Sequence, residues 1–351
     1  LGCVFTRHTT QIAAALLTRQ NPLSEYNLMF GQKASISLLA FAMIFFTLGW
    51  AGKTAMAQES AERLAPWVVV LGIAQDAGYP QAGCKQACCE VAWQHPERAK
   101  WAVSLAIVDP ATNQRWLVEC TPDFKYQLHA LDQIAPPESG LGIDGIFLTH
   151  AHIGHYAGLV NLGREVIGAN EIPVHVMPRL GEFLQTSGPW NQLIALNNIS
   201  LQPLKNGKAT QLNDRLTLTP LQVPHRGEYS ETVAFRIQGP KHSLLFLPDI
   251  DKWERWEKRI EDEIALVDFA LIDSTFFDGQ ELPGRDMTKI PHPFVFQTLE
   301  RFDSLPASEK SKIHLLHFNH SNPLLDEKSQ ATQRVELGGL KIAKQLQTIP
   351  L

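Results

Sequence analysis

The sequence has no excess of basic residues. Its 31 Lys and Arg stand against 36 Asp and Glu, a formal charge of −5 over 351 residues. That balance argues against a nucleic-acid binder, which needs a basic field to neutralise phosphates, though it leaves room for a local patch. A long low-complexity linker is also missing, so one domain with embellishments is expected rather than a string of small ones. Cysteine is sparse, at five. Only Ala34 to Trp50 is almost wholly apolar, and its about 17 residues fall short of the ~20 of a typical spanning helix. The rest is ordinary for a protein with a substantial core, with 44% hydrophobic residues and eight Trp.

Leu1 is not a start residue, and residues 1–28 show no clear periodicity, so they read as an extension of the gene model. From Met29 the order becomes a short segment with Lys33, the apolar run, and then Ala55-Met56-Ala57. A secretory signal peptide has this order, and cleavage after Ala57 is expected. The alternative is an uncleaved anchor that associates with a membrane through 34–50. The functional domain is then 58–351, in the periplasm or secreted, where disulfides can form.

The densest chemistry sits at Thr149-His150-Ala151-His152-Ile153-Gly154-His155, behind the apolar run Ile146-Phe147-Leu148. A short apolar run ending in polar residues reads as a buried strand that delivers its C-terminal end to a site. Two histidines two apart in the following turn can both reach one ion, and imidazole is the common ligand for zinc and its neighbours. Further strands end the same way: 216–223 at His225, 243–247 at Asp249, 266–272 at Asp273-Ser274, and 313–316 at His317 and His320. Residues so far apart converge only if the strands lie side by side with that end shared. Strand 67–73 and a hairpin of 103–108 with 115–119 precede the cluster, and 232–237 pairs with 243–247 in a second hairpin. Helices are expected at 124–134, 159–165, 252–263, 294–302 and 337–346, with a long loop over 276–293. Trp253 and Trp256, three apart, then pack on one helix face.

These segments resemble the metallo-β-lactamase-fold superfamily, and within it the PQQ (pyrroloquinoline quinone) biosynthesis B group. The likeness is carried by Leu71 to Cys89, Leu117 to Phe124, the His cluster, Val223 to Val233, Leu247-Pro248-Asp249 and His317-Phe318-Asn319-His320-Ser321-Asn322-Pro323. It implies an α+β fold, an αββα sandwich of two mixed β-sheets with outer helices. It also implies that His150, His152 and His225 hold one metal, that Asp249 bridges to a second, and that His155 and His317 belong to the second. His320 competes with His317 for that role, as a ligand or catalytic group. One position departs from the superfamily, which usually has Asp immediately before the third His of the motif. Here it is Gly154, so the second position has lost an anionic oxygen, and one ion or a loosely held pair is expected.

A three-histidine ion with an open position activates water for hydrolysis of an ester, lactone, amide or phosphoester in a small-molecule substrate. Asp249 then serves as ligand or as base for that water. Zinc is the expected metal, as one or two ions, with iron or manganese as alternatives. Iron would suit the oxidative chemistry that the resemblance implies, hydroxylation of a tyrosine-derived precursor, and a metal-binding protein without catalysis is the third reading. Cys84, Cys88, Cys89 and Cys120 read as a structural zinc site, with a disulfide from Cys120 or free thiols as competing accounts. Adjacent cysteines look awkward for chelating one ion. Asp123 reads as a partner orienting a ligand histidine or as a helix cap. Asp76 either approaches the metals or sits in a surface turn. Asp76, Arg226, Glu228, Tyr229 and His292 are candidate substrate contacts, His292 entering the pocket from the long loop unless it is simply exposed.

Overall fold

In a computed structural model the described residues are 64–282 and 284–351. The expected extension 1–28 and the expected leader or anchor 29–57 lie outside them. Among the described residues no helix is long and apolar enough to cross a membrane.

The chain fills two sheets one after the other. β1 (Trp67–Gly72), β2 (Ser104–Asp109), β3 (Gln114–Val118), β4 (Gly145–Phe147), β5 (Ile172–Val176) and β6 (Ile199–Pro203) come first. β7 (Thr210–Asn213), β8 (Leu216–Gln222), β9 (Val233–Gln238), β10 (Ser243–Leu247), β11 (Phe269–Asp273) and β12 (Ile313–Leu316) follow. The last residues then give one strand to each: β13 (Lys341–Ile342) to the second sheet and β14 (Thr348–Pro350) to the first. Each sheet has seven strands, ordered β14-β1-β2-β3-β4-β5-β6 and β13-β12-β11-β10-β9-β8-β7.

Strand direction explains where the polar residues meet. β3 to β6 are mutually parallel, as are β10 to β13. Two antiparallel steps lead from β3 to β1 and two more from β10 to β8, and two reversals restore the direction. β1, β3, β4, β8, β10, β11 and β12 therefore present C-terminal ends at the same edge of their sheets.

Both sheets are covered on both faces, as the wholly buried run Leu244 to Leu247 of β10 shows for the second. Val68 and Val70 of β1 point into the core between the sheets, with Leu105, Ile107, Phe235 and Phe246. Val69 and Leu71 point the other way, beneath Phe124, Leu131, Leu159 and Leu180. A strand buried on both faces needs an unbroken apolar run, which is why Val68 to Leu71 does not alternate. Each such side chain stabilises the fold by roughly 1.5–3 kcal/mol relative to exposure.

Both expected hairpins and the helices Phe124–Ile134 and Val295–Arg301 are present. Three expected helices are not. The 159–165 segment is replaced by a short helix Ile153–Tyr156 that tightens into a 3-10 turn over Ala157–Leu162. In place of 252–263 there is a 3-10 turn Trp253–Arg255 and a separate helix Ile260–Ala265. The two buried indoles are tied in different directions, Trp253 Nε1 donating to Thr298 Oγ1 and Trp256 Nε1 to the Gln222 carbonyl, which one straight helix would not allow. The 337–346 helix is corrected most fully. The helix is Gln330–Leu337, and Gly338-Gly339, the latter at φ +85°, ends it and releases the chain into β13 and β14.

Candidate metal centre

Five strand ends build the centre. β4 delivers His150 and His152 in its turn, and His155 on the short helix that follows. β8 leads to His225, β10 to Asp249, β12 to His317 and β1 to Asp76. Two partners of this cluster stand in the left-handed region, Glu119 at φ 77° and His317 at φ 67°. A non-glycine residue there costs of order 1–3 kcal/mol, a strain typical of functional positions.

Asp249 is the hub, 3% exposed. Its Oδ2 lies 3.0 Å from His155 Nε2, 3.1 Å from His317 Nε2 and 3.8 Å from His150 Nε2. Its Oδ1 lies 3.5 Å from His225 Nε2 and 3.7 Å from His292 Nδ1. The potential ligand atoms of His150, His152 and His225 fall within 4.8 Å of one another, and so do those of His150, His155 and Asp249.

The outer nitrogens are anchored separately. His150 Nδ1 is 2.8 Å from Thr149 Oγ1, which donates to Glu119. His225 Nδ1 faces Asp251 at 3.2 Å, and His317 Nδ1 faces Thr275 Oγ1 at 2.9 Å. His155 Nδ1 is 3.2 Å from Glu119 Oε1, an ion pair rather than an aligned hydrogen bond. Anchoring Nδ1 fixes each ring so that Nε2 points inward, the support that metal-ligating imidazoles require.

The inward atoms have nothing to bond. His150 Nε2, His155 Nε2, His225 Nε2, His317 Nε2 and Asp249 Oδ2 are all buried without a hydrogen-bond partner. Leaving one such atom unsatisfied costs about 1–3 kcal/mol, so a cluster of them fits a bound cation rather than a packed core. The charges agree. Burial opposes ionisation of Asp249, yet His317, His155 and His150 hold its carboxyl well below the usual range. Burial pushes His152 down to about 4 and holds His150 well below its ordinary value, leaving neutral imidazoles able to ligate. Burial also works against a charge on His155, but Glu119, Asp249 and Asp76 raise it well above.

His292 does enter from the long loop. It is buried, with Nδ1 2.7 Å from Asp273 Oδ2, so the reading as an exposed histidine is set aside. Phe276, Met287, Ile290 and Phe294 form a small apolar cluster beneath that loop. Glu228 reaches His152 Nε2 at 3.3 Å and Arg226 Nη1 lies 3.5 Å from Glu228 Oε1. Tyr229 is 58% exposed and stacks on Phe183 with ring centroids 4.8 Å apart. Arg226, Glu228 and Tyr229 thus form a rim beside the centre.

Three expectations are corrected. Asp123 touches no ligand histidine. Its Oδ2 accepts from the Ala102 N–H at 2.8 Å and ties the chain after β1 and before β2, and its side chain makes no cap to the helix it precedes. His320 is not in the centre either. Its Nδ1 lies 3.3 Å from Cys89 Sγ and 3.7 Å from Cys88 Sγ. Cys120 is buried under the first sheet, away from the other cysteines, and all four described cysteines are free. The second cluster is therefore Cys84, Cys88, Cys89 and His320, with Cys84 Sγ 3.9 Å from Cys88 Sγ. Thiolates held about 2.3 Å from a tetrahedral zinc stand roughly 3.8 Å apart, so this spacing suits an ion and not a disulfide. Adjacency of Cys88 and Cys89 proves no obstacle, because both lie at the start of helix Ala87–Gln94.

Sequence reasoning missed Glu119, Asp251 and Thr275. Glu119 left one signal, a charged residue closing the otherwise apolar end of β3.

The chain belongs to the beta-lactamase superfamily: the model of that superfamily's domain matches residues 114–315. The fold, two mixed sheets with outer helices, is that of the metallo-β-lactamase proteins. More particularly, the chain is 25% identical over 302 residues to coenzyme PQQ synthesis protein B of Xanthomonas campestris pv. campestris, covering 79% of this chain and 97% of the relative. It is 25% identical to the protein of the same name from Methylorubrum populi, over 81% of this chain and 99% of that one. Zinc-bound PqqB from Methylobacterium extorquens superposes with a TM-score of 0.69 at 22% identity, covering 81% of this chain and all of the other. A diphosphatase of the PhnP family shares the fold at a TM-score of 0.57 and 18% identity, over 82% of this chain and 97% of the other. The expected likeness to the PQQ synthesis B group is borne out.

Proposed function

We propose that the protein is a metal-dependent hydrolase that opens an ester, lactone, amide or phosphoester bond in a small molecule. The observation that carries this reading is the convergence of four histidine Nε2 atoms and Asp249 Oδ2, all buried and none with a partner. His150, His152 and His225 would hold one divalent ion against Asp249, and such an ion supplies Lewis acidity and brings the pKa of a bound water near 7. Zinc suits this donor set, as do iron and manganese. Cys84, Cys88, Cys89 and His320 would hold a structural zinc.

The chain's own groups complete the chemistry. Asp249 Oδ1, facing His225 and His292, is placed to orient a nucleophile and hold its proton. His292, with Nδ1 2.7 Å from Asp273 Oδ2 and 3.7 Å from Asp249 Oδ1, is placed beside the centre to interact with a leaving group. Arg226, Glu228 and Tyr229 contact the substrate at the rim.

A second reading is oxidative chemistry of the PQQ synthesis B kind with iron, favoured by identity that spans 97% of the X. campestris relative. The two separate in one experiment. Zinc- and iron-loaded protein is assayed against ester, lactone, amide and phosphoester panels, and against a tyrosine-containing peptide with oxygen. Turnover of any hydrolytic substrate supports the first reading. Silence on every panel, with the peptide consumed only with iron and oxygen, replaces it. Export is part of this reading and rests on Met29 to Ala57 alone. An N-terminus at Gln58 in the protein purified from cells is the expected result.

A further inference from the structure

Residue 154 has no side chain because another residue occupies that space. An ideal Cβ on Gly154 would stand 2.2 Å from Asp76 Cα and 2.5 Å from Asp76 Oδ1. Those distances are far inside contact, and the first is to backbone, which cannot swing away. Asp76 therefore lies where an aspartate at 154 would have to begin.

Its own carboxylate points into the centre. Asp76 Oδ1 is 3.2 Å from His155 Nε2, and the potential ligand atoms of Asp76, His155 and His317 lie within 4.8 Å of one another. Asp76 Oδ1 and His155 Nε2 are nonetheless both buried without an aligned hydrogen bond. Neither atom is spent on the other, so both are free to share one cation. Ligands about 2.0–2.1 Å from one tetrahedral ion stand roughly 3.3 Å apart. The Asp76–His155 distance of 3.2 Å and the distances from Asp249 Oδ2 to His155 and His317, 3.0 and 3.1 Å, all match.

The loop that carries Asp76 is fixed by its main chain. The Gln75 N–H donates to the Phe318 carbonyl at 2.8 Å, and the Gln75 side chain accepts from Asn319 Nδ2 at 2.7 Å. The Gly78 N–H closes the turn onto the Gln75 carbonyl, with Gly78 at φ +71°. Asp76 is thus locked beside the segment that supplies His317.

We propose that Asp76, from the loop after β1, supplies the carboxylate that residue 154 cannot, and completes a second metal position with His155, His317 and Asp249. The inference rests on the metal-dependent function proposed above and goes further, because it makes the centre binuclear. Gly154 is then the space that lets Asp76 in, rather than a lost ligand.

The test counts ions in the whole protein. Wild type, Asp76→Asn and Asp76→Ala are loaded with Co2+, freed of excess, and measured by elemental analysis and absorption spectroscopy. The expected result is one cobalt fewer per chain in each variant, or binding of that ion at least about tenfold weaker. The thiolate-to-cobalt charge-transfer band of the cysteine cluster stays unchanged, and adding His225→Ala removes the remaining signal of the histidine centre. Asparagine keeps the shape of the side chain, so a loss in that variant reports ligation rather than folding. Equal counts and affinities in wild type and both variants overturn the inference and leave the metal reading standing. A wild type with no ion outside the cysteines overturns both.

Discussion

Two clusters of ligand-type residues sit along the same edge and draw on the same two loops, yet they are built differently. The segment after β1 gives Asp76 to the histidine centre and Cys84, Cys88 and Cys89 to the other cluster. The segment after β12 gives His317 to the first and His320 to the second. Around the histidine centre His150, His155, His225 and His317 each have an outer support, in Thr149, Glu119, Asp251 and Thr275 respectively. The cysteine cluster is supported by backbone N–H groups instead, that of Gln81 on Cys89 Sγ at 3.4 Å and that of Gln86 on Cys84. Three thiolates and an imidazole close a tetrahedron and leave no place for substrate, whereas histidines around shared carboxylates leave positions open. On the proposed metal reading, the first cluster would hold groups in one orientation and the second would clamp two loops together.

The comparison breaks most visibly at Asp249. Asp249→Ala should cut turnover by at least about 10³-fold while the cobalt-thiolate band of the cysteine cluster survives, because the hub is lost and the clamp is not. Steady-state rates and absorption spectra check both halves. Loss of both signals together would mean that the clusters are one unit. The converse changes are Cys89→Ser and His320→Ala. Each should lower stability by roughly 3 kcal/mol in a denaturant titration, as loss of a structural metal does, while turnover per folded molecule falls no more than about tenfold. If either change abolished turnover in folded protein, the cysteine cluster would have to be counted as part of the active centre. Gly154→Ala is smaller again. Its Cβ meets the Asp76 backbone, so about 2 kcal/mol of overpacking is expected, along with weakened binding of the second ion and an unaltered cysteine signal.

How much of this was legible depended on distance along the chain. His150, His152 and His155 could be read because six residues carry all three, and His225, Asp249 and His317 because each closes an apolar strand. Placing His317 in the centre and His320 with the cysteines could not be read, since the two differ only in the side of the edge they face. Cys120 looked like a fourth thiolate because strand ends gather ligands, but its side chain points under the first sheet. The pairing of Gly154 with Asp76 was invisible for a plainer reason. Glycine shows only that a ligand is missing, and the backbone that excluded it lies in the distant loop after β1. The last two strands were hidden as well: β13 and β14 are too short to carry a period of their own and are held by neighbours the sequence does not announce.

The finest test contrasts these supported histidines with one that has no acidic partner. His314 lies in β12 three residues before His317, is 5% exposed, and has Nδ1 3.0 Å from the Lys312 carbonyl. Burial pushes its pKa down to about 4, with Lys341 adding to the effect, whereas the unfolded chain takes up the proton near 6.5. The unfolded state therefore binds more protons across that window, so this contribution is full above about 6.5 and is lost as pH falls toward 4. At pH 5.5 the loss is about 1 kcal/mol. His314→Gln cannot titrate, so the gap in unfolding free energy between wild type and variant should shift by that amount between pH 7.5 and 5.5. A gap that does not move with pH would mean that His314 is solvated and that burial alone does not set the state of an imidazole along this strand.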